Sequence, residues 1–417
     1  MQNYYHATRN ADFTADELTG DITTDVAIIG GGITGVSAAL HLAERGYKVA
    51  LLEAQDIGWG ASGRNGGQAL PGFGCSLHKL RQLTGAQTTK TLWDMSVEAV
   101  DLLHSQIARF GIPASPVRGY LHAAIKARQV RELREEQEEL AALGAPPGRL
   151  LEGTELQSRL ASPRYIAALE DNIAGHIHPY NYTLGLARAA QAAGAQLYAQ
   201  AAVRSIEPGA QITLHVGQHR VSAAYLLVAG GAYLGGLERQ LSGYIMPVGT
   251  YIMATESRDD VPALIPGNEA VADLNFVLDY FRRSPDNRML FGGRVSYSTL
   301  PPPSLAASML RRAVKVFPQL KNAKVEYLWG GNVDITVNRA PHFGRLADNI
   351  LFAHGFSGHG VALTGLAGKL AAEAIAGQAE RFDIFARIPH TKFPGGRALR
   401  TPALLLATSW FRLRDLL

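Results

Sequence analysis

Apolar positions near the start of the chain follow first the pattern of a buried strand and then that of a helix. An apolar run at residues 25–29 predicts a buried parallel strand. Helical apolar spacing over residues 34–45, ended by Gly46, predicts a helix with a glycine C-cap. A second apolar run at residues 47–52 predicts another strand. These three elements together form a βαβ unit.

The same kinds of element recur in the middle and at the end of the chain. Helical spacing occurs at residues 90–110, 127–143, 184–193, 304–317 and 361–376, and strand-like apolar runs occur at 225–229 and 349–353. Residues 244–297 alternate like antiparallel strands. We therefore expect an α/β protein in two domains. The predicted cofactor domain consists of residues 1–90, 150–230 and 330–417. The inserted α+β substrate domain, on a mixed or antiparallel sheet, consists of residues 91–149 and 231–329.

A glycine motif lies at the predicted turn between the first strand and the first helix. Gly30, Gly32 and Gly35 have the G-x-G-x-x-G spacing that lets backbone approach a pyrophosphate and lets the helix pack closely on the strand. The helix N-terminus then offers N–H groups to the phosphates. Glu53, at the end of the second strand, has the spacing of the acid that binds ribose hydroxyls, and its charge disfavours a 2′-phosphate. The motif predicts a dinucleotide site.

Three further segments are rich in small residues. Residues 60–68 carry four glycines and do not form regular structure easily, so we expect close backbone approach to a ligand. Ala229 and Gly230 follow a predicted strand, as at a sheet edge that meets a cofactor. Near the C-terminus, residues 355–361 form a second glycine-rich turn before a helix, whose N-terminus could stabilise negative charge on a reduced ring.

Composition and charge exclude several classes of protein. The net charge of +4 is spread over 417 residues without a block of like charges, so we expect no nucleic-acid partner. The single cysteine, Cys75, allows neither an intrachain disulfide nor a cysteine zinc site. The N-terminus lacks the features of a signal peptide, and the glycines at 30–35 interrupt the only span-like stretch, so we expect a cytoplasmic protein without a membrane span. Residues 403–417 could make a weak membrane-surface contact, although a packed helix is the simpler interpretation.

The four motifs, in this order, resemble those of the D-amino-acid oxidase-type FAD oxidoreductases. Further segments, including residues 57–68, 175–179, 232–235, 317–321, 356–360 and 393–397, are similar to the bacterial gamma-glutamylputrescine oxidases within that family. The resemblance covers nearly the whole chain. It implies a glutathione-reductase-like FAD-binding Rossmann domain beside the substrate domain, with FAD as the cofactor.

The resemblance also implies roles for individual residues. The residues expected to hold FAD are Gly30, Gly32, Ile33, Thr34, Gly35, Glu53, Ala54, Gly60, Ala61, Ser62, Arg64, Asn65, Gly66, Gly67, Gln68, Val203, Ala229, Gly230, Gly358, His359, Gly360 and Val361. Of these, the first glycines would hold the pyrophosphate, residues 62–68 would line the pyrophosphate and the flavin ring, and Val203 would meet the adenine through its backbone. Residues 358–361 would lie against the pyrimidine end of the ring.

The sequence departs from the wider family in three respects. Val333 stands where the amino-acid oxidases carry an arginine that binds the substrate carboxylate, and a valine cannot form that bidentate pair. No cysteine follows Cys75, so the covalent cysteine link of the sarcosine oxidases is not expected and FAD should bind non-covalently. The oxygen-activating lysine of that subgroup would fall near Leu290 and is missing, which leaves O2 and a quinone both open as electron acceptors.

Several other side chains are candidates for the substrate site. Tyr251, Tyr280, Arg282 and Trp329 are candidate substrate contacts, although tyrosines and tryptophans on strands are more often core residues. His359, between two glycines, is the candidate catalytic residue. His176 and His178 alternate as metal ligands can, but the sequence shows no third ligand, so we expect no metal.

These observations lead to two hypotheses about function. The first is an FAD-dependent amine oxidase that transfers hydride from a C–N carbon to flavin, giving an imine that hydrolyses to an aldehyde and ammonia, with gamma-glutamylputrescine or a related amine as substrate. The alternative is an FAD-dependent oxidase or dehydrogenase of a cyclic or N-substituted amino acid such as L-pipecolate. A non-enzymatic flavoprotein is a third, weaker alternative.

Overall fold

The computed structural model describes residues 2–11, 13–296 and 304–394, with the backbone alone at 294–296. The proposed membrane-surface segment at residues 403–417 lies outside these ranges. Within them, no helix combines the length and the apolar character needed to cross a membrane.

Strands and helices alternate along most of the chain. The strands are β1 Ile22–Ile29, β2 Val49–Leu52, β3 Gln68–Ala69, β4 Val117–Ala124, β5 Arg149–Glu152, β6 Ala167–His176, β7 Gln196–Tyr198, β8 Val203–Glu207, β9 Ile212–Val216, β10 His219–Val228, β11 Met246–Thr255, β12 Ala270–Asp273, β13 Tyr280–Arg283, β14 Met289–Ser296, β15 Val325–Ile335, β16 His342–Ala347 and β17 Ile350–His354. The α-helices are α1 Tyr4–Ala7, α2 Ile33–Ala43, α3 Leu77–Thr84, α4 Ala86–Arg109, α5 Ala127–Ala142, α6 Gly153–Arg159, α7 Pro179–Ala192, α8 Arg239–Ser242, α9 Val261–Leu264, α10 Leu305–Val316, α11 Leu363–Ile375 and α12 Glu380–Ala386. Short 3-10 helices occupy Ala61–Gly63, Gly231–Tyr233 and Pro318–Asn322.

The first sheet has the order β16-β17-β10-β1-β2-β7, and β9 and β8 extend it from β10. Strands β17, β10, β1, β2 and β7 are parallel, as the apolar runs predict for strands buried on both faces. Helix α2 packs against α7 and α11 on this sheet. A Cβ at Gly368 of α11 would overlap the carbonyl oxygen of Thr34, so glycine allows the two helices to approach closely.

The second sheet has the order β15-β11-β14-β13-β12-β4-β6-β3, with β5 also paired to β6. Its neighbours are antiparallel except for β12 and β4, which run parallel, so the sheet is mixed. Helix α10 covers one face, where Phe281 and Phe291 stack with ring centroids 5.6 Å apart and Phe317 packs edge-on against Phe281. The predicted fold class, a Rossmann domain with a substrate domain on a mixed sheet, is confirmed.

Three strands from predicted cofactor-domain segments belong to the second sheet. Strand β3 lies within residues 1–90, β6 lies within 150–230, and so does β5 except for its first residue, Arg149, yet all three pair in the substrate sheet. The reason is long-range pairing, since β6 joins β4, a partner that local periodicity does not show. The pairing of these strands therefore does not coincide with the boundaries predicted at residues 90 and 150. The division into two domains stays a prediction.

Candidate active site

The turn between β1 and α2 requires glycine at two positions. Gly30 has φ of +111°, and a Cβ there would lie 2.6 Å from the carbonyl oxygen of Ala229. A Cβ at Gly35 would overlap the carbonyl oxygen of Gly30. Gly32 is the N-cap of α2 and supplies no side-chain cap. The first turn of α2 is therefore open to a ligand that accepts hydrogen bonds, as a pyrophosphate does.

Glu53 directly follows β2, beside this turn. Its Oε2 accepts a hydrogen bond of 2.7 Å from the N–H of Gly31, and its Oε1 accepts one of 2.9 Å from the N–H of Gln55. Its backbone carbonyl accepts a bond of 2.7 Å from the N–H of Ala201, two residues before β8. The carboxylate is thus held at the edge of the glycine turn, where it can accept hydrogen bonds from ribose hydroxyls.

The glycine-rich segment at residues 60–68 folds over the same helix end. Ser62, in the 3-10 helix, accepts a hydrogen bond of 2.9 Å from the N–H of Ile33 in α2. Asn65 donates to the carbonyl of Ala61 at 2.9 Å and accepts from the N–H of Gly67 at 2.7 Å. These bonds give the segment a defined conformation, and it joins the glycine turn to the second sheet through β3.

The other predicted cofactor residues lie at or next to the ends of helices and strands. Thr34 lies in the first turn of α2, Ala54 follows β2, Gly60 precedes the 3-10 helix, Val203 begins β8, Gly230 follows Ala229 after β10, and Gly360 and Val361 precede α11.

Arg282 and Trp329 hold the 60–68 segment against the second sheet. The Arg282 Nε donates to the carbonyl of Gly66 at 2.8 Å, and its Nη2 donates to the carbonyl of Ile177 at 3.0 Å and the hydroxyl of Tyr5 at 3.1 Å. The Trp329 indole N–H donates to the carbonyl of Arg64 at 3.0 Å. Both side chains are buried. Their polar groups are therefore engaged by the protein itself.

The C-terminal glycine turn lies between β17 and α11. Gly358 has φ of +85°, and open space surrounds the position of a Cβ there. The His359 Nε2 lies 2.8 Å from the carbonyl oxygen of Pro71, and because a carbonyl can only accept, Nε2 carries the proton. Burial lowers the pKa of His359, although the bond to Pro71 opposes that shift. The His359 ring is thus oriented by its bond to Pro71, and burial favours its neutral form.

A cleft of about 2060 Å³ is lined by residues of this turn and of the second sheet. It is lined by the predicted cofactor residues Asn65, Gly66, Gln68, Gly358, His359 and Val361, and by Tyr280 and Val333 of the sheet. Drug-sized ligands occupy pockets of roughly 300–1,000 Å³. The cleft therefore has room for a flavin ring and a substrate together, and the residues present fit FAD.

Only one of the four predicted substrate contacts lines this cleft. Tyr280 does, whereas Tyr251, Arg282 and Trp329 are not among the lining residues that the structure describes. Tyr251 packs on Gly330 in the adjacent strand, where a Cβ would lie 2.9 Å from its ring. Arg282 and Trp329 bind backbone carbonyls instead, and these three side chains support the walls of the site.

The structure also places in the cleft wall several residues that the sequence did not identify as candidates. Tyr120 and His122 of β4 line the cleft with Glu136 of α5 and Asp273 at the end of β12. The His122 Nδ1 lies 3.0 Å from the Glu136 Oε2. Burial and the neighbouring Asp279 raise the pKa of Asp273 to about 7. The alternation of Tyr120 and His122 along one strand is the signal that could have identified this face.

His176 and His178 serve other purposes than metal binding. The His176 Nε2 lies 2.8 Å from the carbonyl oxygen of Asn268, and the His178 Nδ1 accepts from the N–H of Asn181 as the N-cap of α7. Burial and the nearby Arg282 lower the pKa of each to about 3. Across the ranges that the structure describes, no group of three histidine, cysteine or acidic residues could hold a metal ion.

Comparisons with known proteins agree with this geometry. The model of the FAD dependent oxidoreductase (DAO) family matches residues 25–374. A gamma-glutamylputrescine oxidoreductase of Escherichia coli is 41% identical over 416 residues, which cover 99% of this chain and 98% of that protein. A probable oxidoreductase of Haemophilus influenzae is 38% identical over 100% of this chain and 97% of its own.

The fold is also that of solved structures. Glycine oxidase from Geobacillus kaustophilus superposes with a TM-score of 0.72 at 23% identity, covering 85% of this chain and 95% of that one. The family match and the two relatives extend over the glycine turn, Glu53, the 60–68 segment and the cleft. The chain belongs to the DAO family of FAD dependent oxidoreductases, enzymes that act on C–N bonds.

Proposed function

We propose that the protein is an FAD-dependent amine oxidase whose substrate is gamma-glutamylputrescine or a related amine. The observation that carries this proposal is the composition of the cleft wall. That wall has a valine where a carboxylate-binding arginine is expected, and it is rich in acidic side chains. The relative in E. coli named gamma-glutamylputrescine oxidoreductase, at 41% identity over nearly both whole chains, supports the same substrate.

The charge of the cleft suits a cation better than an amino-acid carboxylate. Eight aspartates and glutamates line it, against three arginines and lysines, among the residues that the structure describes. An excess of negative charge in a cleft raises the local concentration of cations such as an alkylammonium group. Val333 adds an apolar surface on β15. An amine without an adjacent carboxylate therefore leaves no buried arginine unpaired at this position.

The FAD would be held by the residues that surround the glycine turn. The first turn of α2 and Ser62 lie beside the pyrophosphate position, Glu53 would bind the ribose, and Gly358 to Val361 would face the ring. Bound there, FAD would supply the acceptor for a hydride from the carbon next to the substrate nitrogen, and the resulting imine would hydrolyse to an aldehyde and ammonia. The protein would orient that C–N bond and exclude water with the buried Trp93 and the half-buried Tyr280.

We further propose that the cofactor is bound without a covalent bond to cysteine. Cys75 is the only cysteine of the chain, and it lines the cleft. Burial raises the pKa of its thiol to about 11, so it stays protonated and is a poor nucleophile at neutral pH. Denaturation in acid should therefore release all the FAD into the supernatant. The electron acceptor, O2 or a quinone, and the cytoplasmic location stay predictions.

One observation favours the alternative, oxidation of a cyclic or N-substituted amino acid such as L-pipecolate. Arg81 and Arg339 line the cleft, and either guanidinium could bind a substrate carboxylate. On this alternative the carboxylate lies away from the position of Val333.

Product analysis separates the two functions. The holoenzyme is incubated with gamma-glutamylputrescine, putrescine or L-pipecolate, and the ammonia and a trapped aldehyde are quantified. Equal amounts of ammonia and aldehyde from gamma-glutamylputrescine, with little from the other two, support the amine oxidase. Turnover of L-pipecolate alone, without ammonia, contradicts it.

A further inference from the structure

A histidine–carboxylate pair lies in the cleft wall away from the residues that would hold the cofactor. His122 is on β4 and Glu136 is on α5, and their Nδ1 and Oε2 atoms are 3.0 Å apart. Because the ionised carboxylate can only accept, Nδ1 carries a proton and Nε2 of the neutral ring carries the lone pair. Both residues line the cleft. Among the described residues none forms a hydrogen bond with that Nε2.

His359, the histidine that the sequence singles out, is less suited to accept a proton. Its Nε2 donates to the carbonyl of Pro71, and burial lowers its pKa. His122 differs in both respects. Burial lowers the pKa of His122, but the carboxylates of Glu136, Asp273 and Glu132 and the bond to Glu136 outweigh burial, and its pKa is raised. In this it resembles a general base that is oriented by a carboxylate.

We propose that His122, positioned by Glu136, takes a proton from the ammonium group of the substrate inside the cleft. The inference rests on the proposed amine oxidase function. An N–H bond of R–CH2–NH3⁺ breaks, an Nε2–H bond forms, and the products are R–CH2–NH2 and an imidazolium paired with the Glu136 carboxylate. No electrons are transferred in this step. The amine nitrogen is then neutral, so its lone pair can assist loss of hydride from the neighbouring carbon.

The titratable groups around His122 come from several elements. They are Glu132 and Glu136 of α5, Asp273 of β12, Tyr120 of the same strand and His359 of the C-terminal turn. The carboxylates stabilise the imidazolium, whereas His359 opposes it only when charged, and its pKa is lowered. These carboxylates therefore lower the free-energy cost of moving a proton from the substrate ammonium to His122.

The pH dependence of kcat/KM tests this role, because the enzyme must bind the substrate as an ammonium while His122 is neutral. The profile of the wild-type enzyme with gamma-glutamylputrescine should be bell-shaped. Its acid limb reports His122, and its alkaline limb reports the substrate amine, whose pKa is about 10. In His122→Gln the ionisation that reports His122 should be lost, so that kcat/KM rises with pH up to the pKa of the amine without an earlier plateau, and its value near neutrality should fall about 100-fold.

Two further variants separate a chemical role from a structural one. Glu136→Gln should move the acid limb to lower pH, because the stabilising charge is lost. His215→Gln, at a histidine of β9 that pairs with Glu207 and is not among the cleft-lining residues that the structure describes, should leave the profile unchanged. A readout independent of activity is the NMR titration of His122 in the holoenzyme without substrate. Its pKa should lie above about 6.5 in the wild type and fall in Glu136→Gln.

The outcomes distinguish this inference from the proposed function. If the wild-type enzyme turns over the amine but His122→Gln keeps a bell-shaped profile, or if the pKa of His122 is unaffected by Glu136→Gln, the proton-acceptor role is overturned and the amine oxidase function stands. If no amine reduces the flavin of the wild-type enzyme at any pH, the proposed function fails and the role of His122 fails with it.

Discussion

The carboxylate of Asp334 accepts a hydrogen bond of 2.6 Å from the backbone N–H of Gly355. The backbone carbonyl of Asp334 accepts a second bond, of 2.9 Å, from the N–H of Ser357. Asp334 lies on β15 of the second sheet, and Gly355 begins the turn that carries His359. A single residue thus joins the substrate sheet to the C-terminal glycine turn, and it determines where that turn lies over the cleft.

The ionisation of Asp334 should make stability depend on pH. Burial raises its pKa to about 6, above its value of about 3.9 in the unfolded chain. The folded state therefore holds the proton more tightly, and the contribution of this group is present below about pH 4 and lost as the pH rises through about 6. Asp334→Asn cannot ionise, and thermal unfolding should show it gaining stability relative to wild type over this interval. A constant difference between the two proteins from pH 4 to 7 would contradict the account.

The hydrogen bond that the Asp334 carboxylate accepts should contribute to the free energy of unfolding, in addition to the effect of its charge. Asp334→Ala leaves the N–H of Gly355 without its partner, which costs about 1–3 kcal/mol. Urea unfolding at pH 7 measures this loss. Asp334→Asn is the matched control because it retains an acceptor oxygen at the same position. Equal loss in both variants would mean that the hydrogen bond to Gly355 contributes little.

Removal of the charge on Glu53 should weaken FAD binding. Hydrogen bonds to a charged group contribute roughly 1.5–3 kcal/mol, so Glu53→Gln should raise the Kd for FAD by about 10- to 100-fold. Titration of the apoprotein with FAD, followed by flavin fluorescence, gives the Kd. Glu207→Gln on β8, an exposed position, is the control and should bind like wild type. An unchanged Kd in Glu53→Gln would place the ribose elsewhere.

Gly35 should tolerate no side chain. A Cβ there would overlap the carbonyl of Gly30, so Gly35→Ala should force β1 and α2 apart and yield protein with little bound FAD. The absorbance ratio of flavin to protein after purification measures the content. At Gly20 there is open space around a Cβ, and Gly20→Ala should purify with the wild-type amount of FAD. Full FAD content in Gly35→Ala would show that the turn can relax.

An arginine at position 333 should alter which substrates reduce the flavin. Val333→Arg places a guanidinium on the cleft wall, where it can pair with a carboxylate and repel a cation. The rate of flavin reduction should fall at least 10-fold for gamma-glutamylputrescine and rise for D-alanine or glycine. Val337→Arg, at an exposed residue that also lines the cleft, controls for added charge. A similar change in both variants would show that Val333 does not determine which substrates reduce the flavin.

The sequence predicts those parts of the site that depend on local backbone geometry. Gly30, Gly35 and Glu53 belong to one βαβ unit, so their spacing in the sequence is enough to predict how they are arranged in space. Arg282 could not be assigned from the sequence, because its partner Gly66 is 216 residues away and only the pairing of β13 in the second sheet brings them together. The contact between His122 and Glu136 could not be predicted either. It joins a strand to the next helix through tertiary packing, and no sequence motif indicates it.

The most direct test of the central claim is anaerobic bleaching of the flavin absorbance by a panel of amines and amino acids. The panel contains gamma-glutamylputrescine, putrescine, D-alanine, glycine, sarcosine and L-pipecolate. The account predicts rapid bleaching by gamma-glutamylputrescine, slow or no bleaching by the amino acids, and return of the colour when an electron acceptor is added. Bleaching by amino acids alone would contradict it and would show that another residue of the cleft binds their carboxylate in place of the missing arginine.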